Sequence, residues 1–243
     1  MAEAFPVTRD SIVAAVRSDD RETKSRAYGA LVEAYWRPVY KYLRLTRGVA
    51  DEDARDLTQE FFARAMEKSL FDGYDARRAL FRTFLRVCLD RFVANHRASS
   101  RRLKRGGGAA VLPLDFEDAE GELRRHDPPD PSSSPDELFH REWVRSIFAL
   151  AVSDLEAWCE AEGKRTHFLL FARYDLVDAE PHERPTYAEL ASELGIPVTQ
   201  VTNYLAAARR EFRRAVLARL RETSGGEEEF RAEARALLGV EIA

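Results

Sequence analysis

The segment from Arg184 to Arg221 constrains the fold most, because it reads as two helices joined by a tight turn. Thr186 and Glu189 have the spacing of a capping box, which predicts a helix beginning at Tyr187. Gly195 predicts the end of that helix, since glycine accepts the left-handed conformation that helix C-termini often need. Apolar residues then recur at helical spacing at Val198, Val201, Leu205, Ala208, Phe212 and Val216. The pattern is typical of a helix-turn-helix, which places its second helix in the major groove of DNA.

The same pattern also fits two ordinary core helices with a glycine turn. A row of arginines along the second helix favours the DNA-binding interpretation. Its members are Arg209, Arg210, Arg213, Arg214, Arg219 and Arg221. A charge run alone usually marks a solvated helix face. The arginines therefore count only in combination with the capping box, the turn glycine and the apolar register.

Long segments of helical periodicity dominate the 243 residues, and strand-like alternation is scarce, so we predict an all-α fold. Cys88 and Cys159, the two cysteines, lie in apolar helical stretches. We expect them to be buried reduced thiols, which fits a cytoplasmic location. The first residues lack the apolar core of a signal peptide, and no apolar run is long enough for membrane insertion.

Charge is strongly segregated, although the net charge is only −4. Residues 77–105 carry ten basic side chains and one acid, whereas residues 106–139 carry nine acids and two arginines. Residues 184–221 are basic again, with seven arginines and three glutamates. Two basic blocks around an acidic one predict two contacts with a polyanion, joined by a segment that avoids it.

Composition predicts two helical domains joined by a flexible acidic linker. The first domain spans residues 8–105 and the second, which contains the helix-turn-helix, spans residues 136–222. Residues 106–135 are rich in glycine, proline, serine and acids, and we interpret them as the linker. Residues 223–243 form a tail in which Glu227–Leu238 is a candidate amphipathic helix.

Two further segments carry candidate binding residues. In 51–68, the polar side chains of Asp56, Gln59 and Glu60 fall on one side of a helix, with Leu57 and Phe61 on the other. This face is either solvated or a docking surface for a basic protein partner. Residues 81–105 are predicted to form a helix with arginines on its outer side and aromatic residues on its inner side. The candidate phosphate contacts there are Arg82, Arg86, Arg97, Arg101 and Arg102, and Asn95 and His96 are candidates for base edges.

No grouping of residues indicates catalysis. The five histidines are scattered without metal-ligand spacing, and no glycine-rich nucleotide fingerprint or P-loop occurs. We therefore expect neither an enzyme nor a bound metal or cofactor.

Three motifs follow one another in an order that identifies a family resemblance. Asp56 to Phe62 form a D-L-x-Q-E-x-F motif, Phe81 to Leu85 resemble F-R-x-W-L, and Tyr187 to Gly195 resemble Y-x-E-I-A-x-x-L-G. Together they resemble the extracytoplasmic-function (ECF) group of bacterial RNA polymerase sigma factors, over about 31–105 and 136–221.

The resemblance implies partners and roles. The first domain would bind core RNA polymerase at the clamp helices of its largest subunit, through Asp56, Gln59, Glu60 and the neighbouring Phe61. It would hold the −10 promoter element with Arg86, Arg91, Asn95 and His96. The second domain would read the −35 element through Thr199, Gln200, Thr202, Asn203 and Tyr204, with Arg209, Arg210 and Arg213 on phosphates. An anti-sigma factor or a regulatory kinase is a further partner that the resemblance allows.

The chain departs from the family pattern at several positions. The family often has basic residues where this chain has Thr202, Tyr204 and Ala207, which implies weaker phosphate attraction. Phe84 replaces the family's tryptophan, and Arg91 replaces its usual asparagine. Two other functions therefore stay open: a sigma-like protein-binding module that no longer reads promoters, and a stand-alone helix-turn-helix repressor.

Overall fold

The computed structural model describes residues 12–100, 112–125, 132–177 and 184–239, with only the backbone described at 97–100 and 125. Across these ranges the regular structure is helical throughout and contains no strand, so the predicted all-α class is confirmed. The described chain divides into two compact units. The first unit contains the described residues up to Ile147 and again from Leu220, and the second unit is Phe148–Arg219.

Ten α-helices follow one another in the described ranges, with one short 3₁₀ helix, Leu70–Gly73, after the third. The α-helices are α1 Ile12–Ala15, α2 Arg21–Arg47, α3 Asp51–Glu67, α4 Phe81–Ser100, α5 Phe116–Arg125, α6 Pro135–Ala161, α7 Arg165–Tyr174, α8 Tyr187–Leu194, α9 Val198–Thr223 and α10 Glu227–Leu238.

Aromatic side chains build the core of the first unit around α2. The Asp20 carboxylate accepts a 2.8 Å hydrogen bond from the Thr23 N–H and so caps the start of α2. Tyr35 of α2 is buried and meets Phe81 of α4 edge-on, with ring centroids 5.5 Å apart. This packing holds the start of α4, which carries predicted binding residues, against α2.

Residues 106–135 were expected to form a flexible linker, but Phe116–Arg125 within them form the helix α5. Phe116 is buried, and its ring lies 5.3 Å from the rings of both Trp36 and Tyr40 on α2. The acids of α5 lie against basic side chains of α2, as in the 2.9 Å ion pair of Glu120 with Arg44. Composition predicted a flexible segment, because a stretch rich in acids and poor in apolar residues usually stays disordered. Composition does not show that these acids have basic partners elsewhere in the fold. Residues 106–111 and 126–131 lie outside the described ranges.

The unit boundaries also differ from the predicted domain limits. Phe139, Trp143 and Ile147 of α6 are buried within the first unit, and the Ser146 hydroxyl donates a 3.0 Å hydrogen bond to the Ala34 carbonyl of α2. The tail contains the expected helix as α10, which also belongs to the first unit. Sequence patterning missed this assignment because the contacts join residues more than 100 positions apart.

Local signals around α8 correspond to the structure closely. Thr186 Oγ1 accepts from the Glu189 N–H at 3.2 Å, and Glu189 Oε2 accepts from the Thr186 N–H at 2.7 Å, which completes the capping box. Gly195 ends α8 with φ of 64°, in the left-handed region. A core around α8 and α9 is formed by Leu170, Leu190, Ala191, Val201 and Leu205. The left-handed conformation of Gly195 and the apolar core around α8 and α9 thus stabilise the turn between these two helices.

The two thiols, Cys88 and Cys159, are free and buried, as expected. None of the helices in the described ranges combines the length and the apolar character that crossing a membrane requires.

Candidate functional site

Two arginines of the predicted phosphate track on α4 are held inside the first unit. The Arg82 side chain is 15% exposed, pairs with Glu233 of α10 and lies over the Trp143 ring, 5.1 Å from its centroid. Arg86 pairs at 2.7 Å with both Asp90 and Asp136. Both guanidiniums are therefore paired with acids in this arrangement, and their predicted phosphate contacts stay predictions. Sequence could not show this, because Glu233 and Asp136 reach α4 only through the fold.

The later part of α4 is more open. Arg91 and Asn95 are exposed and, four residues apart on a helix, lie on the same side of it. His96 is half-buried, with its Nε2 3.3 Å from Glu60 Oε2 of α3. The side chain of Arg97 and the whole of Arg101 and Arg102 lie outside the described residues, so their predicted roles stay predictions.

The predicted docking face of α3 is present in part. Asp56 is exposed and Gln59 is half-buried. Glu60 pairs at 2.5 Å with Arg64, one turn further along α3. Phe61, in contrast, is 1% exposed and packs edge-on against Phe62 with ring centroids 5.3 Å apart. Phe61 therefore belongs to the core rather than to the docking surface, because it lies on the apolar side of the helix.

The first turns of α9 present a polar row to solvent. Its exposed members are Thr199, Gln200, Thr202 and Asn203. The Thr202 hydroxyl donates to the Val198 carbonyl at 3.3 Å within the helix. Gln200 and Asn203, three residues apart, lie on one face of the helix. Side chains of this type match the donor and acceptor pattern of adenine in the major groove.

Tyr204, the last residue of the predicted −35 set, is half-buried and stacked on His167 of α7. The two ring centroids are 4.1 Å apart and the planes are tilted by 23°. Burial lowers the pKa of His167, and the positive charge of Lys164 lowers it further. Stacking on the His167 ring orients the tyrosine ring. Sequence analysis missed His167, since a scattered histidine carries no signal of its partner.

The arginines of α9 fall into two groups. Arg209 donates two 2.9 Å hydrogen bonds to the Asp175 carboxylate, which raises the pKa of this arginine, and it lies over the Tyr174 ring. Arg210 and Arg213 are exposed, and neither has an ion-pair partner in the described part of the chain. Of the three predicted phosphate contacts, two are therefore available and one is held in an ion pair.

The other three arginines of the row are in ion pairs, as Arg209 is. Arg214 pairs with Glu211 on the same helix, Arg219 pairs with Asp154 at 2.7 Å, and Arg221 pairs with Glu227 at 3.2 Å. Fewer arginines of α9 are thus free to contact phosphate than the sequence predicts.

The described residues show no constellation for metal chemistry, since they include no group of three or more His, Cys, Asp or Glu side chains that could hold a metal ion. What they present is an exposed polar and cationic side of α9, the exposed Arg91 and Asn95 on α4, and an acidic side of α3. Such surfaces can bind a nucleic acid and a basic protein surface.

The family model described as ECF sigma factor matches residues 7–144, more than half of the chain. The match includes α3 and α4 and ends before α8 and α9. Comparison with curated proteins gives no match, and neither does comparison with solved structures.

Proposed function

Because the chain belongs to the ECF sigma factor family, whose members act in transcription initiation and are not enzymes, we propose how this chain takes part in initiation. It binds core RNA polymerase through α3, contacts the −10 promoter element through α4 and reads the −35 element through α9. The proposal places the protein in the cytoplasm with core polymerase and promoter DNA.

One observation carries the promoter-reading part of this proposal. Directly after the left-handed turn at Gly195, α9 exposes Gln200 and Asn203 on one face, and further along it exposes Arg210 and Arg213. Amide side chains discriminate base edges, whereas arginines on phosphates fix the register of the helix. The order of the two pairs along α9 supports a helix that enters the groove by its N-terminal turns.

The acidic side of α3 supports the polymerase contact. Asp56 is exposed, and Gln59 and Glu60 lie one turn further along. Asp51, Glu52 and Asp53 add negative charge in the first turn of the same helix. A basic helical surface, such as the clamp helices of the largest polymerase subunit, fits this charge.

The −10 contact rests on the open part of α4. Arg91 and Asn95 are exposed there, and His96 is half-buried beside Glu60. Arg82 is paired there with Glu233, and Arg86 with Asp90 and Asp136, so each joins them by exchanging an acidic partner for a phosphate.

The test is promoter-directed transcription by core polymerase reconstituted with variants of the full chain. We expect Gln200→Ala with Asn203→Ala to reduce transcription and to change the preferred −35 bases. Arg210→Ala with Arg213→Ala should weaken promoter binding uniformly across −35 sequences, with a shallower salt dependence. Arg165→Ala, an exposed arginine on α7, is the matched control and should have no effect. A folded chain that fails to bind core polymerase would contradict the proposal.

A second candidate is a protein-binding module of the same fold, and the ion pairs of Arg82, Arg86 and Arg209 favour it. In that case the chain binds polymerase but no promoter sequence is enriched. Tight duplex binding by the chain without polymerase would instead indicate a stand-alone repressor.

A further inference from the structure

The C-terminal helix α10 packs within the first unit, where it contacts the beginning of α4. Phe230 and Ala234 of α10 are buried, and the Arg221 guanidinium lies 4.2 Å from the centroid of the Phe230 ring. The turn that leads into α10 is also close to the rest of the unit, because a Cβ added at Gly225 would collide with the Tyr74 ring. The glycine therefore permits the close approach of the tail.

Glu229 joins this tail to the first residue of α4. Its carboxylate accepts hydrogen bonds from the Phe81 N–H at 3.1 Å, from the Gly225 N–H at 2.8 Å and from the Tyr74 hydroxyl at 3.2 Å. The first N–H groups of a helix have no partner inside the helix, and a carboxylate there is favoured by the helix dipole. A residue near the end of the chain thus caps the helix that carries the proposed −10 contacts.

One helical turn further along α10, Glu233 pairs with Arg82. The glutamate side chain is 6% exposed and the arginine side chain is 15% exposed, with Trp143 covering the guanidinium. Glu233 holds the Nη1 group of Arg82 and neutralises its charge, so a phosphate gains the full attraction of this arginine only when the glutamate moves away.

We propose that α10 is an intramolecular clasp that withholds Arg82 from nucleic acid. This inference rests on the proposed function only in treating α4 as a DNA-contacting helix. Glu229 and Phe230 hold the clasp in place, and Glu233 is the group that masks the cation. When the clasp opens, α4 gains one further phosphate contact next to its N-terminus.

The clasp is tested with the full chain alone, by fluorescence anisotropy with a labelled single-stranded oligonucleotide over a series of salt concentrations. Glu233→Gln keeps the size of the side chain and removes its charge, so we expect binding to tighten by up to about fivefold. The slope of log affinity against log salt should steepen by about 0.7 for one added contact to a single strand. Glu228→Gln makes the same charge change at an exposed site of α10 and should leave both quantities unchanged.

Arg82→Gln identifies the cation involved. The gain from Glu233→Gln should disappear in the Arg82→Gln background. Equal effects of Glu233→Gln and Glu228→Gln, or a gain that persists without Arg82, would overturn the clasp.

Gly225→Ala gives a second route, since it displaces the tail without a change of charge. Its binding should also tighten, and only when Arg82 is present, while circular dichroism checks that the helices remain. If the wild-type chain fails to direct core polymerase to promoters but the Arg82-dependent gain is seen, the proposed function fails and the clasp stands.

Discussion

At the scale of single residues, the first unit tolerates buried charge because each charge has a partner. The Lys41 side chain on α2 is 3% exposed and lies 3.1 Å from Glu142, which is 4% exposed, and it also pairs with Glu122. Taking an ion out of water is costly, and removal of one partner leaves the other charge buried without compensation.

Lys41→Ala should therefore lower the free energy of unfolding by about 3 kcal/mol. Lys24→Ala, at a half-exposed position of the same helix, should change it by less than about 0.5 kcal/mol. Urea denaturation of the two variants measures the difference. A loss below about 1 kcal/mol for Lys41→Ala would show that the buried cation contributes little.

His167 makes a prediction about pH. Because burial lowers its pKa in the folded chain, the unfolded chain binds more protons as the pH falls, and stability decreases on acidification. His167→Phe keeps the stacking on Tyr204 and removes the titration. Between about pH 7.5 and pH 5.5, urea denaturation should show a larger loss of stability for the wild type than for His167→Phe. Equal losses would mean that His167 does not remain neutral in the fold.

At the scale of elements, the structure differs most from sequence expectation at α5. Capping signals and apolar registers are local, so the sequence predicted the ends of α8 and the tail helix α10. The docking of α5 is not local. Its acids meet a basic row on α2 formed by Arg37, Lys41 and Arg44, which follow one another at helical spacing about 80 residues earlier in the chain. Composition gave no sign of that pairing.

Glu120 is the buried acid of α5 in this docking. Its carboxylate accepts hydrogen bonds from Arg44 and from the Tyr40 hydroxyl, and the bond from Arg44 lowers its pKa. Glu120→Gln should speed hydrogen exchange across Phe116–Arg125, measured by mass spectrometry at neutral pH. Glu117→Gln, exposed on the same helix, is the control and should leave exchange as in the wild type. Equal exchange in both variants would contradict the role of charge in docking α5.

The same carboxylate gives an expected direction with pH. A lowered pKa means that its stabilising effect is complete above the pKa of the unfolded chain and is lost as the pH falls through the folded pKa. Acid should therefore release α5 before the aromatic core of the first unit unfolds.

At the scale of the whole molecule, one structural unit is built from both ends of the described chain. Sequence predicted the fold class, because helical periodicity shows it, whereas the polar residues of α9 were named only through the family resemblance. It assigned Arg82, Arg86 and Arg209 to DNA, whereas the structure pairs them with Glu233, Asp136 and Asp175. Partners so distant in sequence leave no local pattern, and this limits what a sequence can show about charged residues.

Phe230 tests how far the tail contributes to the first unit. Phe230→Ala removes a buried ring, so we expect the free energy of unfolding of this unit to fall by about 3 kcal/mol. Hydrogen exchange should accelerate at the start of α4 and stay unchanged in α8, which belongs to the second unit. Unchanged exchange at Phe81 would show that α10 does not support α4.

The most direct test of the central claim is selection of promoters from a random DNA library by core polymerase carrying this chain. We expect enrichment of two conserved elements at a fixed spacing, with the upstream one changed by substitution of Gln200 and Asn203. A correctly folded chain that binds core polymerase yet enriches no sequence would contradict this claim.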